Sequence, residues 1–122
     1  MHNFKDLKVW SKAMELATRI YQVTESYPER EKFNLISQMQ RAVVSIPSNI
    51  SEGCGRQTKP ALKNYLSIAI GSAYELETQI ILSNKLGYLM MRYSSNYPGK
   101  QQKFKRCYTG STILYNILIL LN

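Results

Sequence analysis

Apolar residues recur at intervals of three and four along most of the chain, and this spacing constrains the fold more than any other feature. Four segments carry such a stripe: Leu7, Trp10, Met14, Ala17 and Tyr21; Ile36, Met39, Val43, Ile46 and Ile50; Leu62, Leu66, Ala69, Ala73, Leu76 and Ile80; and Phe104, Cys107, Leu114, Leu118 and Leu121. Strand-like alternation never extends beyond a few residues. The spacing therefore predicts an all-α protein with four amphipathic helices and no sheet.

Turn-forming residues separate the four stripes and predict where the helices end. "SYPERE" (26–31), "GCGRQTKP" (53–60) and "YSSNYPGK" (93–100) contain the glycine, proline and serine residues typical of helix boundaries. Thr58 can cap the third helix, and Pro60 falls in its first turn. We predict helices over about 4–26, 30–53, 58–91 and 99–121. Because short links favour antiparallel neighbours, we expect one domain over 1–122, an antiparallel up-down four-helix bundle.

Pro47 lies inside the second predicted helix, where it removes a hydrogen bond to the carbonyl of Val43. The apolar stripe nevertheless keeps its phase from Val43 through Ile50. We therefore expect helix 2 to continue through Pro47 with a kink, and polar side chains such as Asn49 to bond to nearby carbonyls.

The charge of the chain is strongly positive. Sixteen Lys and Arg residues against eight Asp and Glu residues give a net charge of +8. Such an excess favours a polyanionic partner, either nucleic acid or an anionic membrane surface, although a solvated basic surface without a partner is the alternative. No acidic residue occurs in 56–63 or 85–122, and the candidate nucleic-acid contacts in these segments are Arg56, Lys59, Lys63, Lys103, Lys105 and Arg106.

The sequence does not contain the residue patterns that are typical of an enzyme. His2 is the single histidine and lies at the N-terminus, which leaves no Glu-x-x-His metal pair and no histidine-based triad in the chain. No glycine-rich phosphate loop follows a strand. Glu52 is expected to form a structural tie to a basic group or a free N–H. We predict no catalytic residue, no metal and no cofactor.

Two features of the sequence, its N-terminus and its longest apolar run, indicate where the protein is located. The N-terminus is charged where a signal peptide is apolar, and the longest apolar run, "ILYNILILL" (113–121), is far shorter than the roughly 20 residues of a spanning helix. We expect a cytoplasmic protein without a membrane span, with Cys54 and Cys107 as free thiols.

Two blocks, "LISQMQRAVVSIPSNISEGCGR" and "YLSIAIGSAYELETQIILSNKLGYL", resemble the four-helix-bundle proteins encoded by intervening sequences in bacterial 23S ribosomal RNA genes. The accessory variability protein of diversity-generating retroelements is a relative of that family. The resemblance covers roughly residues 4–92, and its signature falls here on Pro47, Asn49, Glu52 and Gly53. It implies a homo-pentameric bundle with a basic surface for RNA or DNA and no catalytic activity.

Three functions remain open at this level. The chain could be a ring-forming protein that binds RNA or DNA, or an adaptor that docks a partner protein, such as a nucleic-acid enzyme of the reverse transcriptase kind. It could also lie on anionic membranes through its basic and apolar C-terminus. If Leu86, Leu89, Met90 and Met91 are exposed in one subunit, homo-oligomerisation is the expected way to cover them.

Overall fold

The computed structural model describes residues 3–89, which form three α-helices and two 3₁₀ turns. The first 3₁₀ turn spans Phe4–Asp6 and leads into α1, Lys8–Thr24. The second spans Glu29–Glu31 and precedes α2, Leu35–Cys54, which is followed by α3, Lys59–Lys85. No strand occurs in this part of the chain, so the all-α prediction is confirmed for it. The predicted helix over 99–121 lies outside the described residues.

Helix α2 is the central element, because it packs against both α1 and α3. Three contacts fix its register on α3. Met39 Sδ lies 3.5 Å from Ser83 Oγ, and the hydroxyl oxygens of Ser45 and Ser72 lie 2.8 Å apart. Near the end of α2, Gly53 lies against Tyr65. Residues that come later in α2 therefore contact residues that come earlier in α3.

The core consists of one buried face from each helix. The stripes predicted for α2 and α3 are confirmed, with Met39, Val43, Ile46, Ile50, Leu66, Ala69, Ala73, Leu76 and Ile80 all buried. The stripe predicted for α1 is wrong at Met14 and Tyr21, which are 43% and 47% exposed, whereas its other members, Leu7, Trp10 and Ala17, are partly buried against the core. The buried face of α1 contains Val9, Ala13, Leu16, Ile20 and Thr24 instead. Ala13 is fully buried.

Two helix boundaries differ from the sequence-based bounds for physical reasons. Helix α2 begins at Leu35 rather than near residue 30, because Pro28 starts a 3₁₀ turn and Asn34 leaves the helical conformation at φ −114° and ψ −105°. Helix α3 ends at Lys85 rather than at 91. Gly87 has φ +76°, its N–H donates to the Asn84 carbonyl at 3.1 Å, and the Tyr88 N–H donates to the Ser83 carbonyl at 2.9 Å. This is a Schellman ending, which requires a left-handed residue after the helix.

Helix α2 runs through Pro47 without interruption, as the phase of its apolar stripe predicted. The Asn49 side-chain amide donates to the Ser45 carbonyl at 2.7 Å and to the Ser45 hydroxyl at 2.9 Å. Since Ser45 also bonds to Ser72, a continuous polar bridge joins α2 and α3 beside the buried Pro47.

Candidate nucleic-acid interface

The link between α2 and α3 is held in place by the close approach of the two helices at Gly53. A Cβ at this position would lie 3.0 Å from Tyr65 Cβ and 3.1 Å from Leu62 Cδ1, so a larger residue would push the helices apart. Beyond Gly53 the backbone turns tightly. The Gly55 N–H donates to the Glu52 carbonyl and the Arg56 N–H to the Gly53 carbonyl, each at 3.1 Å. The position from which the Arg56 side chain emerges is thereby fixed.

Arg56 is tied to two neighbours, and we call Glu52, Arg56 and Tyr65 the arginine cluster. Arg56 Nη2 donates one hydrogen bond to Glu52 Oε1 at 2.6 Å and another to the Tyr65 hydroxyl at 2.6 Å. The guanidinium carbon lies 4.8 Å from the centroid of the Tyr65 ring, a cation–π distance. The hydrogen bond to Glu52 raises the pKa of Arg56 above its ordinary value, so the group stays charged. Glu52 therefore forms the tie to a basic group that its position in the sequence suggested.

Lys59 and Lys63, which we call the lysine pair, lie one turn apart at the start of α3. Both are exposed, and within residues 3–89 neither takes part in an ion pair. The first turn of α3 contains no acidic residue, and the N-terminus of a helix carries the positive end of the macrodipole. Thr58 caps this end by accepting a hydrogen bond from the Ala61 N–H at 3.4 Å. The lysine pair therefore adds positive charge to a helix end that is already positive.

The structure places the three predicted contacts Arg56, Lys59 and Lys63 at one end of the α2–α3 pair, but not on one face. Tyr65 follows Lys63 by two positions, which turns it by about 200° around the axis of α3. Arg56, which is bonded to Tyr65, is thus directed away from the face of the lysine pair. The other three predicted contacts, Lys103, Lys105 and Arg106, lie outside the described residues.

Tyr65 is the member of the arginine cluster that the sequence did not indicate. The spacing of Glu52 and Arg56 by four residues on a helix end is a readable sign of their ion pair. The contact with Tyr65 crosses from one helix to the next, so it depends on how α2 and α3 pack. Tyr65 is half-buried, whereas Tyr74 on the same helix is 56% exposed.

Exposed apolar side chains form two further features of the surface. One strip follows α3 and contains Ile68, Leu82 and Leu86, which are 44%, 45% and 49% exposed. The other contains Met14 of α1 with Tyr21 and Val44, and the latter two line a shallow groove between α1 and α2. We call these the α3 strip and the α1–α2 strip. Of the four residues whose exposure would favour assembly, Leu86 is exposed, Leu89 is half-buried against the core, and Met90 and Met91 lie outside the described residues.

A family model described as the 23S rRNA-intervening sequence protein matches residues 5–108. The chain belongs to this family. Curated proteins, by contrast, include no match to the chain.

Membership of the 23S rRNA-intervening sequence protein family confirms the resemblance drawn from the two sequence blocks. The match includes α1, α2 and α3 and extends over Lys103, Lys105 and Arg106. The relation to the accessory variability protein of diversity-generating retroelements stays a prediction.

Residues 3–89 contain no cluster of three or more His, Cys, Asp or Glu side chains that could hold a metal ion. No helix in the same range has the length and apolarity that crossing a bilayer requires.

Proposed function

We propose that this protein is a non-enzymatic, cytoplasmic nucleic-acid-binding protein that acts as a homo-oligomer and has RNA as its expected ligand. The observation that carries the proposal is the lysine pair at the start of α3. Two exposed lysines without acidic partners in the described structure extend a helix end that is itself positive.

This arrangement is unfavourable for an isolated helix. A cation in the first turn opposes the macrodipole by about 0.3–1 kcal/mol. A phosphate group bound between Lys59 and Lys63 would reverse the sign of this interaction. Because lysine contacts phosphate as a point charge, the pair supports binding through the backbone of the nucleic acid rather than through its base sequence.

The composition of residues 90–122 supports the same ligand. This segment contains five of the sixteen basic residues and no acidic one, and three of the five are the predicted contacts Lys103, Lys105 and Arg106. Tyr93, Tyr97 and Tyr108 lie among these basic residues. Tyrosine interleaved with basic residues suits single-stranded RNA, in which unpaired bases can stack on aromatic rings.

We further propose the antiparallel four-helix bundle, with a kink at Pro47, as the subunit and a homo-pentamer as the assembly. The reversed order of contacts between α2 and α3 supports the bundle. The pentamer rests on the family resemblance, and the two apolar strips give it a physical basis. Since they lie on different helices, the α3 strip of one subunit can cover the α1–α2 strip of the next, and such head-to-tail contacts form a ring when the rotation from one subunit to the next closes. Around a ring the lysine pair would repeat as a basic band.

Fluorescence anisotropy of a labelled single-stranded RNA, measured over a series of salt concentrations, tests the proposal. For the wild type we expect the logarithm of the binding constant to fall steeply with the logarithm of the salt concentration. The double variant Lys59→Gln/Lys63→Gln should bind more weakly, with a slope about 1.4 shallower, which corresponds to two lost phosphate contacts on a single strand.

The control is Lys32→Gln/Lys85→Gln, which removes the same charge from the other end of α3. Lys85 is the last residue of α3, and Lys32 follows Glu31, whose carboxylate accepts a hydrogen bond from the Tyr88 hydroxyl. We expect it to have a clearly smaller effect on affinity and slope. Equal effects of the two double variants would mean that net charge alone drives binding. No binding of the intact wild type at low salt would refute the RNA proposal.

A second candidate is an adaptor that docks a partner protein, such as a reverse transcriptase or another nucleic-acid enzyme, and the α3 strip is the observation that favours it. The substitution Leu82→Glu distinguishes self-assembly from docking of another protein. If the α3 strip joins copies of this chain, light scattering should give a smaller assembly mass for the variant than for the wild type. An unchanged assembly that loses affinity for a partner enzyme would favour the adaptor. Salt-dependent flotation of the wild type with anionic liposomes would instead favour a membrane surface.

A further inference from the structure

The arginine cluster contains an acidic residue, Glu52, whose negative charge lowers the affinity that a nucleic-acid site would have without it. Glu52 and Arg56 are both about half exposed, and their carboxylate and guanidinium groups lie 2.6 Å apart. Glu52 has an anionic oxygen at the place where a phosphate oxygen would bind an arginine.

The geometry of Nη2 makes this competition specific. A guanidinium group binds phosphate with two parallel N–H bonds along one of two edges, Nε with Nη2 or Nη1 with Nη2. Both edges use a hydrogen of Nη2, which has two. One hydrogen is donated to Glu52 and the other to the Tyr65 hydroxyl, each at 2.6 Å. While both bonds last, Arg56 has no complete edge for a phosphate.

We propose that Glu52 is an intramolecular competitor of the nucleic-acid phosphate for Arg56 and thereby limits the affinity of this end of the protein. The inference rests on the proposed function, because it concerns the same ligand. Its specific content is that Arg56 contributes little to binding in the wild type and much more once the charge of Glu52 or the hydroxyl of Tyr65 is removed, because each change weakens or breaks one bond of Nη2.

A double-mutant cycle on Glu52 and Arg56 tests the inference, with the same labelled single-stranded RNA as the probe. Glu52→Gln should tighten binding by roughly threefold to tenfold and steepen the salt slope by about 0.7, one phosphate contact. Arg56→Gln should change binding less than twofold in the wild type, yet abolish the whole gain in the Glu52→Gln background. The non-additivity of the two changes is the expected result.

Tyr65→Phe provides a test without a change in charge. It removes the hydroxyl that holds the second hydrogen of Nη2 and keeps the ring beneath the guanidinium group. Because one edge of Arg56 is then complete, binding should tighten, and Arg56→Gln should cancel the gain. Glu25→Gln is the control for the loss of one negative charge, because Glu25 is exposed and lies just after α1, near the start of α2 and away from the cluster.

The outcomes separate this inference from the proposed function. If the wild type binds RNA but Glu52→Gln has no greater effect than Glu25→Gln, or if the cycle is additive, the competition is refuted and the lysine pair remains as the site. If no variant binds RNA at low salt, both proposals are refuted. Circular dichroism of each variant should show the helical content of the wild type, since Glu52 and Arg56 are exposed.

Discussion

Gly53 and Gly71 are both helical glycines, yet the structure predicts opposite effects for the same substitution. A Cβ at Gly53 would lie 3.0 Å from Tyr65 Cβ, whereas nothing lies within 4 Å of a Cβ at Gly71. Tyr65 Cβ is attached directly to the backbone of α3, so this contact can lengthen only if α3 moves away from α2. Leu62 Cδ1, at 3.1 Å, is the end of a flexible side chain and can rotate away.

The two opposing contributions can be estimated. Replacing glycine by alanine inside a helix stabilises a protein by about 0.5–1 kcal/mol, and overpacking a close contact costs about 1–3 kcal/mol. We therefore expect Gly71→Ala to raise the free energy of unfolding by about 0.5–1 kcal/mol. For Gly53→Ala we expect a decrease of about 1 kcal/mol, the balance of the two contributions.

Urea unfolding followed by circular dichroism measures both changes, and equal protein concentrations are needed because assembly would contribute to stability. Gly71→Ala is the matched control, since it adds the same methyl group to an exposed position of α3. If Gly53→Ala stabilises the protein as much as Gly71→Ala does, the close approach of α2 and α3 described above is wrong.

Three more predictions concern the polar bridge and two titratable groups. Asn49→Ala should lower the free energy of unfolding by about 1 kcal/mol, as measured by urea unfolding, because its side chain bonds to Ser45 at 2.7 Å; an unchanged midpoint would contradict the bridge. Burial raises the pKa of Tyr27 above its usual value near 10, so the stability that its neutral form contributes is present below pH 10 and is lost as the pH rises further. Thermal unfolding between neutral and strongly alkaline pH should therefore show a smaller loss in Tyr27→Phe than in the wild type, and identical profiles would exclude this role. Burial also raises the pKa of the Cys54 thiol, so in a Cys107→Ser variant iodoacetamide should react more slowly with the folded than with the urea-unfolded protein; equal rates would show an open thiol.

The sequence was sufficient to predict the helices and most of the core, because apolar spacing reports directly which face of a helix is buried. It was sufficient for α2 and α3, where a single apolar stripe stands out. In α1, the stripe of Met14 and Tyr21 lies beside another that contains Leu16 and Ile20, and only the packing of α1 on α2 decides which one is buried.

The candidate site shows the same division between local and long-range information. The ion pair of Glu52 with Arg56 follows from their spacing, and so does the shared face of the lysine pair. The second bond of Arg56, to Tyr65, joins two helices and could not be derived from spacing. For this reason the sequence grouped Arg56 with the lysines, whereas the structure directs it to another face.

The three cross-contacts of α2 with α3 also limit how the length of this protein can change in evolution. Met39, Ser45 and Gly53 each meet a defined residue of α3, so the number of residues between them is fixed on both helices. One inserted residue would rotate everything beyond it by about 100° and would separate the partners on that side. Insertions and deletions among homologues should therefore fall in the segment between α1 and α2, in the link between α2 and α3, or after Gly87, while the stretches 39–53 and 65–83 each keep a constant length.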